Sequence, residues 1–413
     1  MVQKNLAISI KGFVVSERGS LRTVIVFVCV CLLVVSAAMG LAGASRADTM
    51  DQRRSVPDVQ SPTEGRAVPI EVTPPGKPEK SGEWVVLPIP KASPALGGGL
   101  QVVGARFFKV DSESQTSVLG AGGGYYSSET WFAGAGGVYN FGQGRWRITG
   151  GAGYLDAKYD FYGVGNDAGE NDIVAPIRQT GTAVFAKVLR RVGTHWFLGA
   201  GYRYFDSTVG LRIPVPEYPD FEEAIRDGVP ITSAGPTLAA EYDTRDLNTN
   251  PRTGSFVQFE GLFPTNSLAS DETYQRLTIK ANRYWPVRDN MTLAGRVTAC
   301  GASENTPFFD LCFLGPDNDI RGYTAGRYQD RTKLSTQAEL RVQFSPRWGG
   351  VAFAGVGQVA ADFDDMNSSN WLPGGGVGVR WMAAPQNKVN IRADVAWGEG
   401  EGALFYLAIG EAF

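Results

Sequence analysis

The sequence predicts an all-β protein, a transmembrane antiparallel β-barrel of about 16 strands, and three observations lead to this fold class. Apolar and polar residues alternate with period two over many segments, most clearly from Lys333 to Phe413. Gly accounts for 52 of the 413 residues and aromatics for 11%, while the hydrophobic content is an ordinary 43%. A secretory signal precedes these segments. Strands between lipid and a wet interior alternate in this way because only every second residue meets the lipid.

The first 47 residues have the organisation of a signal peptide. Basic residues precede a run from Thr23 to Gly43 that is almost wholly apolar, and the small residues Ser45 and Ala47 follow it. This order predicts cleavage after Ala47. A retained transmembrane helix is the alternative, because the apolar run is close to the length of a membrane span.

Residues 48–83 carry six prolines and mixed charges, which predicts an extended periplasmic linker. The barrel is expected over residues 84–413, where strands of about 9–11 residues allow about sixteen of them. The predicted strands are Leu100–Lys109, Ser117–Tyr126, Trp131–Asn140, Arg145–Tyr159, Ile177–Arg190, Trp196–Phe205, a weakly patterned Thr208–Val215, Thr232–Asp243, Phe256–Phe263, Tyr274–Val287, Met291–Ala299, Leu334–Phe344, Val351–Ala361, Gly374–Met382, Lys388–Trp397 and Ala403–Phe413.

An even number of strands places both ends of the barrel on one side of the membrane, which we expect to be the periplasmic side. The long connections at 216–230 and 300–332 are then extracellular, and the short one at 250–254 is periplasmic. The last strand presents Phe405, Leu407, Ile409 and Phe413 on one apolar face. This face is expected to contact lipid and to be read by the outer-membrane assembly machinery as the insertion signal.

Charge and cysteine content limit the possible partners. Without the signal, 34 basic and 41 acidic residues remain, a net charge of −7, and no basic patch indicates a nucleic acid. Cys300 and Cys312 are then the remaining cysteines. The oxidising envelope favours a disulfide between them, and two buried free thiols are the alternative.

Several segments resemble the BamA/TamA superfamily of outer-membrane assembly and translocation proteins, also called bacterial surface antigens. The first is Ile320-Arg321-Gly322-Tyr323, preceded by Asp317-Asn318-Asp319. In that family, a long extracellular loop folds into the lumen and ends in such a motif. Its glycine permits a tight turn and its arginine reaches charged groups on the barrel wall.

Further segments follow the family's order. Its periplasmic turn after the eighth strand resembles Asp243, Arg245 and Asp246, followed by Pro251 and Gly254. Pro88-Ile89-Pro90 with Gly97-Gly98-Gly99 resembles the first strand, and Arg392-Ala393-Asp394 with the closing strand resembles the end. The resemblance covers essentially the whole barrel and implies its fold.

The residues themselves predict the partner of Arg321. An arginine in a partly dry lumen needs a carboxylate, and strand alternation places Glu339 and Arg341 inward, beside the outward Leu340. The family also offers an aspartate on the next strand, but that position is Gly355 here. Glu339 is therefore the expected partner, with Asp394 as the second candidate.

The resemblance leaves the function open. Family members usually carry POTRA modules before the barrel, and the linker is too short for one, so we expect a barrel that lacks them. No catalytic set, metal cluster or cofactor motif is evident, and His195 lies in an expected turn. The prediction is a bacterial outer-membrane barrel in protein or lipid transport, with an unknown client. A passive pore or structural barrel is the alternative.

Overall fold

A computed structural model describes residues 82–93, 96–170, 174–212, 228–315 and 319–413. The predicted signal peptide and nearly all of the predicted linker lie outside these residues, so their boundaries stay predictions. Asp317 and Asn318 of the loop motif also lie outside them.

Eighteen strands, one short α-helix, α1 (Asn166–Glu170), and three single-turn 3-10 helices make up the regular structure of the described residues. The strands are β1 (Glu83–Ser93), β2 (Gly97–Phe108), β3 (Ser117–Tyr126), β4 (Trp131–Phe141), β5 (Trp146–Phe161), β6 (Ala175–Val192), β7 (Trp196–Leu211), β8 (Val229–Asp243), β9 (Gly254–Leu262), β10 (Arg276–Arg288), β11 (Met291–Ala302), β12 (Cys312–Phe313), β13 (Gln329–Asp330), β14 (Thr332–Gln343), β15 (Trp348–Ala360), β16 (Leu372–Ala384), β17 (Val389–Gly398) and β18 (Leu404–Ile409).

Sixteen of these strands form one antiparallel sheet in chain order, and β12 and β13 form a separate two-stranded ribbon inside a loop. The predicted fold class is therefore confirmed. Connections alternate between two ends of the barrel. One end, here called the turn end, holds both ends of the sheet and tight turns such as Asp289-Asn290. The other, the loop end, holds the 303–331 connection between β11 and β14.

The two faces of the sheet differ in chemistry. On β14, Lys333, Gln337 and Glu339 are buried toward the lumen, whereas Thr336 and Ala338 face outward and are exposed. The outer face carries large exposed apolar side chains along nearly every strand, and its aromatics gather near both ends. Near the turn end they are Trp84, Phe344, Trp348 and Trp381, and nearer the loop end Tyr125, Trp131, Tyr154 and Trp397. Within the described residues, no helix has the length and hydropathy of a membrane span.

The sheet has a seam where β1 and β18 lie side by side. Each pair of consecutive barrel strands shares a hydrogen-bonded register, but the described residues show none between β1 and β18. At six residues, β18 is the shortest barrel strand. The turn-end part of the seam is closed by side chains instead. The Glu83 carboxylate accepts hydrogen bonds from the Gln386 and Asn387 amides, and Val85 packs in one cluster with Ile391 and Ile409.

Two strand predictions are wrong, but the two errors cancel in the number of barrel strands. Residues 208–211 do not form a separate strand, because β7 runs without a break from Trp196 to Leu211. The predicted list also began at Leu100 and so omitted β1, whose Pro88 and Pro90 weaken a strand pattern. The count of sixteen remains because one strand was divided and one was missed.

Candidate functional site

The 303–331 loop enters the lumen, and its base is fixed by a covalent link. Cys300 at the end of β11 and Cys312 in β12 form a disulfide, with their Cα atoms 5.8 Å apart. The loop chain returns along the β12–β13 ribbon, which pairs Cys312 with Asp330. Because both cysteines are buried, this base is a rigid start for the segment that follows.

Arg321 at the tip of the loop is fully buried and lies between two carboxylates. Its Nη2 donates to Glu339 Oε2 at 2.5 Å and its Nη1 to Asp394 Oδ2 at 2.6 Å. Its guanidinium also stacks over the Phe353 ring, 3.4 Å from the centroid. The contact predicted with Glu339 is present, and Asp394 is an equal second partner. A planar guanidinium suits this arrangement because it donates in two directions and stacks at once.

Asp394 takes the place of the aspartate that the sequence lacks on β15. Gly355 pairs there with Gln337, and a Cβ at Gly355 would lie 2.4 Å from the Thr336 carbonyl oxygen. The strand is therefore too close to its neighbour for a side chain at that position. The second carboxylate comes from β17 instead, and Gln337 Oε1 accepts a weak bond of 3.4 Å from Arg321 Nε.

Further buried charges surround this contact and form what we call the charged wall. Arg341 Nε donates to Glu339 at 2.7 Å, and Arg392 Nη1 lies 3.2 Å from Asp394. The members of the charged wall are Glu339, Arg341, Arg380, Arg392, Asp394 and Glu411. Each carboxylate has at least two arginine neighbours, so none is left as an isolated buried charge, which would be costly.

The residues next to Arg321 fix the turn of the tip. Gly322 has a φ of +119°, and a Cβ there would lie 2.6 Å from the Trp397 main chain, so only glycine fits. Its amide donates to the Tyr406 hydroxyl at 2.9 Å. Tyr323 donates to the Pro373 carbonyl at 2.5 Å, and Ile320 is fully buried.

A second anchor, which the sequence did not reveal, holds the first half of the loop. Asp310 accepts a hydrogen bond of 2.7 Å from Arg203 Nη1 and one of 3.1 Å from Ser233 Oγ, and it also contacts the Tyr274 hydroxyl. Burial acts to raise the pKa of Asp310, but its hydrogen bonds and the charge of Arg203 lower it below the usual range. In the sequence, this anchor could have been inferred from Arg203, a charged residue at an inward strand position between Tyr202 and Tyr204.

The predicted turn motif lies at the turn end, between β8 and β9. Asp243 accepts from Arg245 at 2.8 Å and from Arg147 at 3.2 Å. Asp246 Oδ1 accepts the Arg252 and Thr253 amides at 3.0 and 3.2 Å. Pro251 is buried, and Gly254 has a φ of +95°. These contacts form a rigid turn about 70 residues from the loop motif in sequence, and they do not touch Arg321.

Phe413 does not share the outer face of Phe405, Leu407 and Ile409, and that part of the prediction is wrong. Phe405 is 74% exposed, whereas Phe413 is 8% exposed and packs with Tyr284 and Ala294 inside the barrel. The tail turns inward at Gly410, whose φ is +90°. The guanidinium groups of Arg296 and Arg341 then stack over the Phe413 ring, at 4.6 and 5.5 Å from its centroid.

The other predicted residues are placed as follows. Arg341 Nη2 donates to the main-chain oxygen of Phe413 at 2.5 Å, so it joins the tail to Glu339. His195 is exposed in the turn between β6 and β7 and lies against Tyr242, with their ring centroids 5.9 Å apart.

Comparison with known protein families decides the relationship. The model of the Omp85 superfamily domain matches residues 140–413, which is more than half of the chain. The chain belongs to the Omp85 superfamily. The resemblance inferred from the sequence motifs is therefore confirmed.

Solved structures show the same Omp85 fold at low sequence identity. CdiB from Escherichia coli is 10% identical over 78% of this chain, with a TM-score of 0.51, and CdiB from Acinetobacter baumannii is 11% identical over 80%, with a TM-score of 0.50. This chain spans 61% and 59% of their lengths. BamA from Haemophilus ducreyi lacking POTRA domains 1–3 is 12% identical over 80% of this chain and 69% of its own, with a TM-score of 0.49.

Proposed function

We propose that this Omp85 barrel lies in the bacterial outer membrane and transports or assembles cargo there through its seam. The observation that carries the proposal is the combination of a lumen occupied by an anchored loop with a seam that lacks a hydrogen-bonded register. The loop closes the direct route along the barrel axis, and the seam is the weakest point of the wall. The match to the Omp85 superfamily domain supports an outer-membrane location.

The outer face supports the membrane location. Exposed aromatics such as Trp84 and Trp381 near one end and Trp131 and Trp397 near the other resemble the two aromatic girdles of outer-membrane barrels. The outer face then contacts the lipid of that membrane. We also propose that the outer-membrane assembly machinery of the cell inserts the barrel.

The composition of β1 supports a seam that opens. Pro88 and Pro90 lack an N–H group, and prolines in sheets are confined mainly to edge strands for this reason. Opening the seam therefore breaks few main-chain hydrogen bonds. The side-chain contacts of Glu83 with the 385–388 turn hold the closed state at one end.

The loop anchors argue against a passive pore. Arg321, Asp310 and Tyr323 each bind a different part of the barrel wall, so the loop is fixed rather than loosely placed in the lumen. A water-filled pore would need these contacts to be absent or open. We propose no catalytic activity for the chain. The client that it transports is unknown.

A crosslink across the seam tests the proposal. Glu83→Cys with Asn387→Cys places two thiols at the Glu83–Asn387 contact, where the carboxylate and the side-chain amide are 2.7 Å apart. A short thiol crosslinker between them should lock the seam and abolish complementation of the deletion strain, measured by its outer-membrane protein and lipid composition.

A matched pair serves as the control. Asn290→Cys with Gln343→Cys joins two strands that are already paired at the same end of the barrel, where Asn290 Nδ2 donates to the Gln343 carbonyl at 3.1 Å. The crosslinked control should complement fully. Full activity of the seam-locked protein, or a deletion strain with unchanged outer-membrane composition, contradicts the proposal.

A further inference from the structure

The lumen has an apolar side opposite the charged wall, and we call it the apolar wall. It consists of part of the inward faces of β2–β6, where cross-strand pairs place Val103 and Ala183 in one row across the sheet and Phe132 and Leu155 in the adjacent row. Their outward neighbours, such as Trp131 and Tyr154, are exposed on the outer face. The interior of an outer-membrane barrel is normally polar, so a wall of this kind is unusual.

The apolar wall borders a cavity of about 760 Å³. Its lining includes Val103, Phe132, Leu155, Ala157 and Ala183, together with Ala325 of the loop. Cavities that bind small molecules have volumes of about 300–1,000 Å³ and mostly apolar linings. Both the size and the chemistry of this cavity therefore fit an apolar ligand.

Glycines make the apolar wall smooth. Gly122, Gly134 and Gly153 lie between the larger side chains, and a Cβ at each would come within 2.9 to 3.1 Å of a carbonyl oxygen on the neighbouring strand. The close approach of the strands therefore requires glycine there. Along these glycines, the lumen surface is therefore a shallow strip against which an extended chain can lie.

The apolar wall continues to the seam. On β1, Val85, Leu87 and Ile89 are buried on the inward face and pair with β2 at Ala105, Val103 and Gln101. The cavity and the lipid outside the barrel are thus connected along an apolar surface that ends at the least paired junction of the sheet.

We propose that the cavity binds the acyl chain of an outer-membrane lipid that reaches it through the seam. This inference rests on the proposed function and names the class of cargo. The continuity of the apolar wall with the seam favours lipid. A client β-strand is less favoured, because Pro88 and Pro90 remove main-chain donors that strand addition at β1 would use.

Photocrosslinking with residue-level readout tests the site. The full mature protein is reconstituted in phosphatidylcholine vesicles that contain a phospholipid with a diazirine near the end of one acyl chain. Neighbouring residues on one strand face opposite sides, so lumen and lipid adducts are distinguishable by mass spectrometry. Adducts are expected at the inward Phe132 and Leu155 in addition to the outward Leu119 and Val184, which are exposed and do not line the cavity. Adducts at the outward residues alone overturn the proposal.

Two variants on β6 provide a matched comparison. Ala183→Trp fills the cavity and should lower adducts at Leu155 by about tenfold, the equivalent of about 1.4 kcal/mol of lost binding. Ala186→Trp, on the lipid-facing side of the same strand, should leave them unchanged. Leu155→Gln, scored by adducts at Phe132, replaces Ala183→Trp if that variant fails to fold. Undiminished lumen adducts in the cavity variant overturn the site.

The same positions separate a lipid from a protein strand in cells. A photoreactive phenylalanine analogue at position 132 should capture lipid, and capture of a peptide there instead overturns the proposal in favour of a protein client. A seam-locked protein that still complements would refute the seam as the transport route. The photocrosslinking in vesicles would then test lipid binding in the cavity independently of the seam.

Discussion

Arg321 is the residue on which the loop depends most. Its side chain has no exposure, and its two carboxylate partners come from different strands, β14 and β17. Removing one member of a buried ion pair leaves an uncompensated charge, whereas an exposed pair contributes little.

Arg321→Ala should therefore destabilise the folded loop by up to about 3–5 kcal/mol, seen as faster proteolysis between residues 307 and 328. Arg321→Lys should rescue poorly, because an ammonium cannot contact both carboxylates and stack on Phe353. Arg178→Ala, which removes an exposed pair with Asp156, is the control and should have no effect on the loop. Equal proteolysis of Arg321→Ala and Arg178→Ala would contradict the buried anchor.

Double-mutant cycles separate the two carboxylates. Arg321→Ala should couple with Glu339→Ala and also with Asp394→Ala, because both contacts lie within hydrogen-bond distance. The sequence favoured Glu339, with Asp394 as the second candidate. Coupling with only one carboxylate would show that the other belongs to the remaining arginines of the charged wall.

Asp310 makes the second anchor sensitive to acid. Because its pKa is lowered in the folded loop, its contribution is complete above the unfolded value of about 3.9 and is lost as the pH falls through the folded value. Hydrogen exchange of residues 308–312 should stay low from pH 7 to about 5 and rise below about 4. In Asp310→Asn, the amides of residues 308–312 should exchange faster at pH 7, and the rise in their exchange on acidification should be smaller. A rise of unchanged size in Asp310→Asn would show that other groups cause it.

At the scale of elements, the disulfide and the side-chain anchors hold different parts of the loop. Closing the segment between Cys300 and Cys312 removes roughly 3 kcal/mol of unfolded-chain freedom in the loop-entropy model. Cys300→Ser with Cys312→Ser should raise proteolysis of residues 303–311 more than that of 319–328, where Arg321 still binds. Denatured wild-type protein should also change gel mobility on reduction. Two free thiols in mature protein would refute the pairing.

The tail behaves as a lumen element rather than as the end of the lipid-facing strand. Phe413→Ala removes the ring that Arg296 and Arg341 cover, so it should lower the unfolding temperature of barrel refolded in detergent, where no assembly machinery is present. Phe405→Ala, on the lipid-facing side, should not. If Phe413→Ala impairs only insertion in cells and leaves the refolded barrel unchanged, Phe413 serves as an insertion signal alone.

Alternation along the strands was enough to predict the barrel and the inward position of Glu339, because a half-buried sheet requires period two. The division of β7 failed because polar residues such as Asp206 and Thr208 continue the strand beyond the apolar belt. Phe413 was misplaced because a positive φ at Gly410 ends the alternation, which no periodicity reveals. Asp310 and Arg203 are 107 residues apart, and only the folded loop brings them together.

At the scale of the whole molecule, the lumen is divided. The charged wall binds the loop, the apolar wall borders a cavity, and the seam lies beside the apolar wall. We predict that the closed state conducts little, because the loop is anchored inside the lumen. We also predict that the loop anchors, rather than the strands, set the conductance.

Single-channel recording in planar bilayers tests this central claim most directly. Purified wild-type protein should give small, flickering currents. The double variant Arg321→Ala/Asp310→Ala, which releases both loop anchors, should give large openings, and the control Arg178→Ala should match the wild type. A large and steady conductance of the wild-type protein, unchanged in the double variant, would contradict the account and identify the barrel as a passive pore.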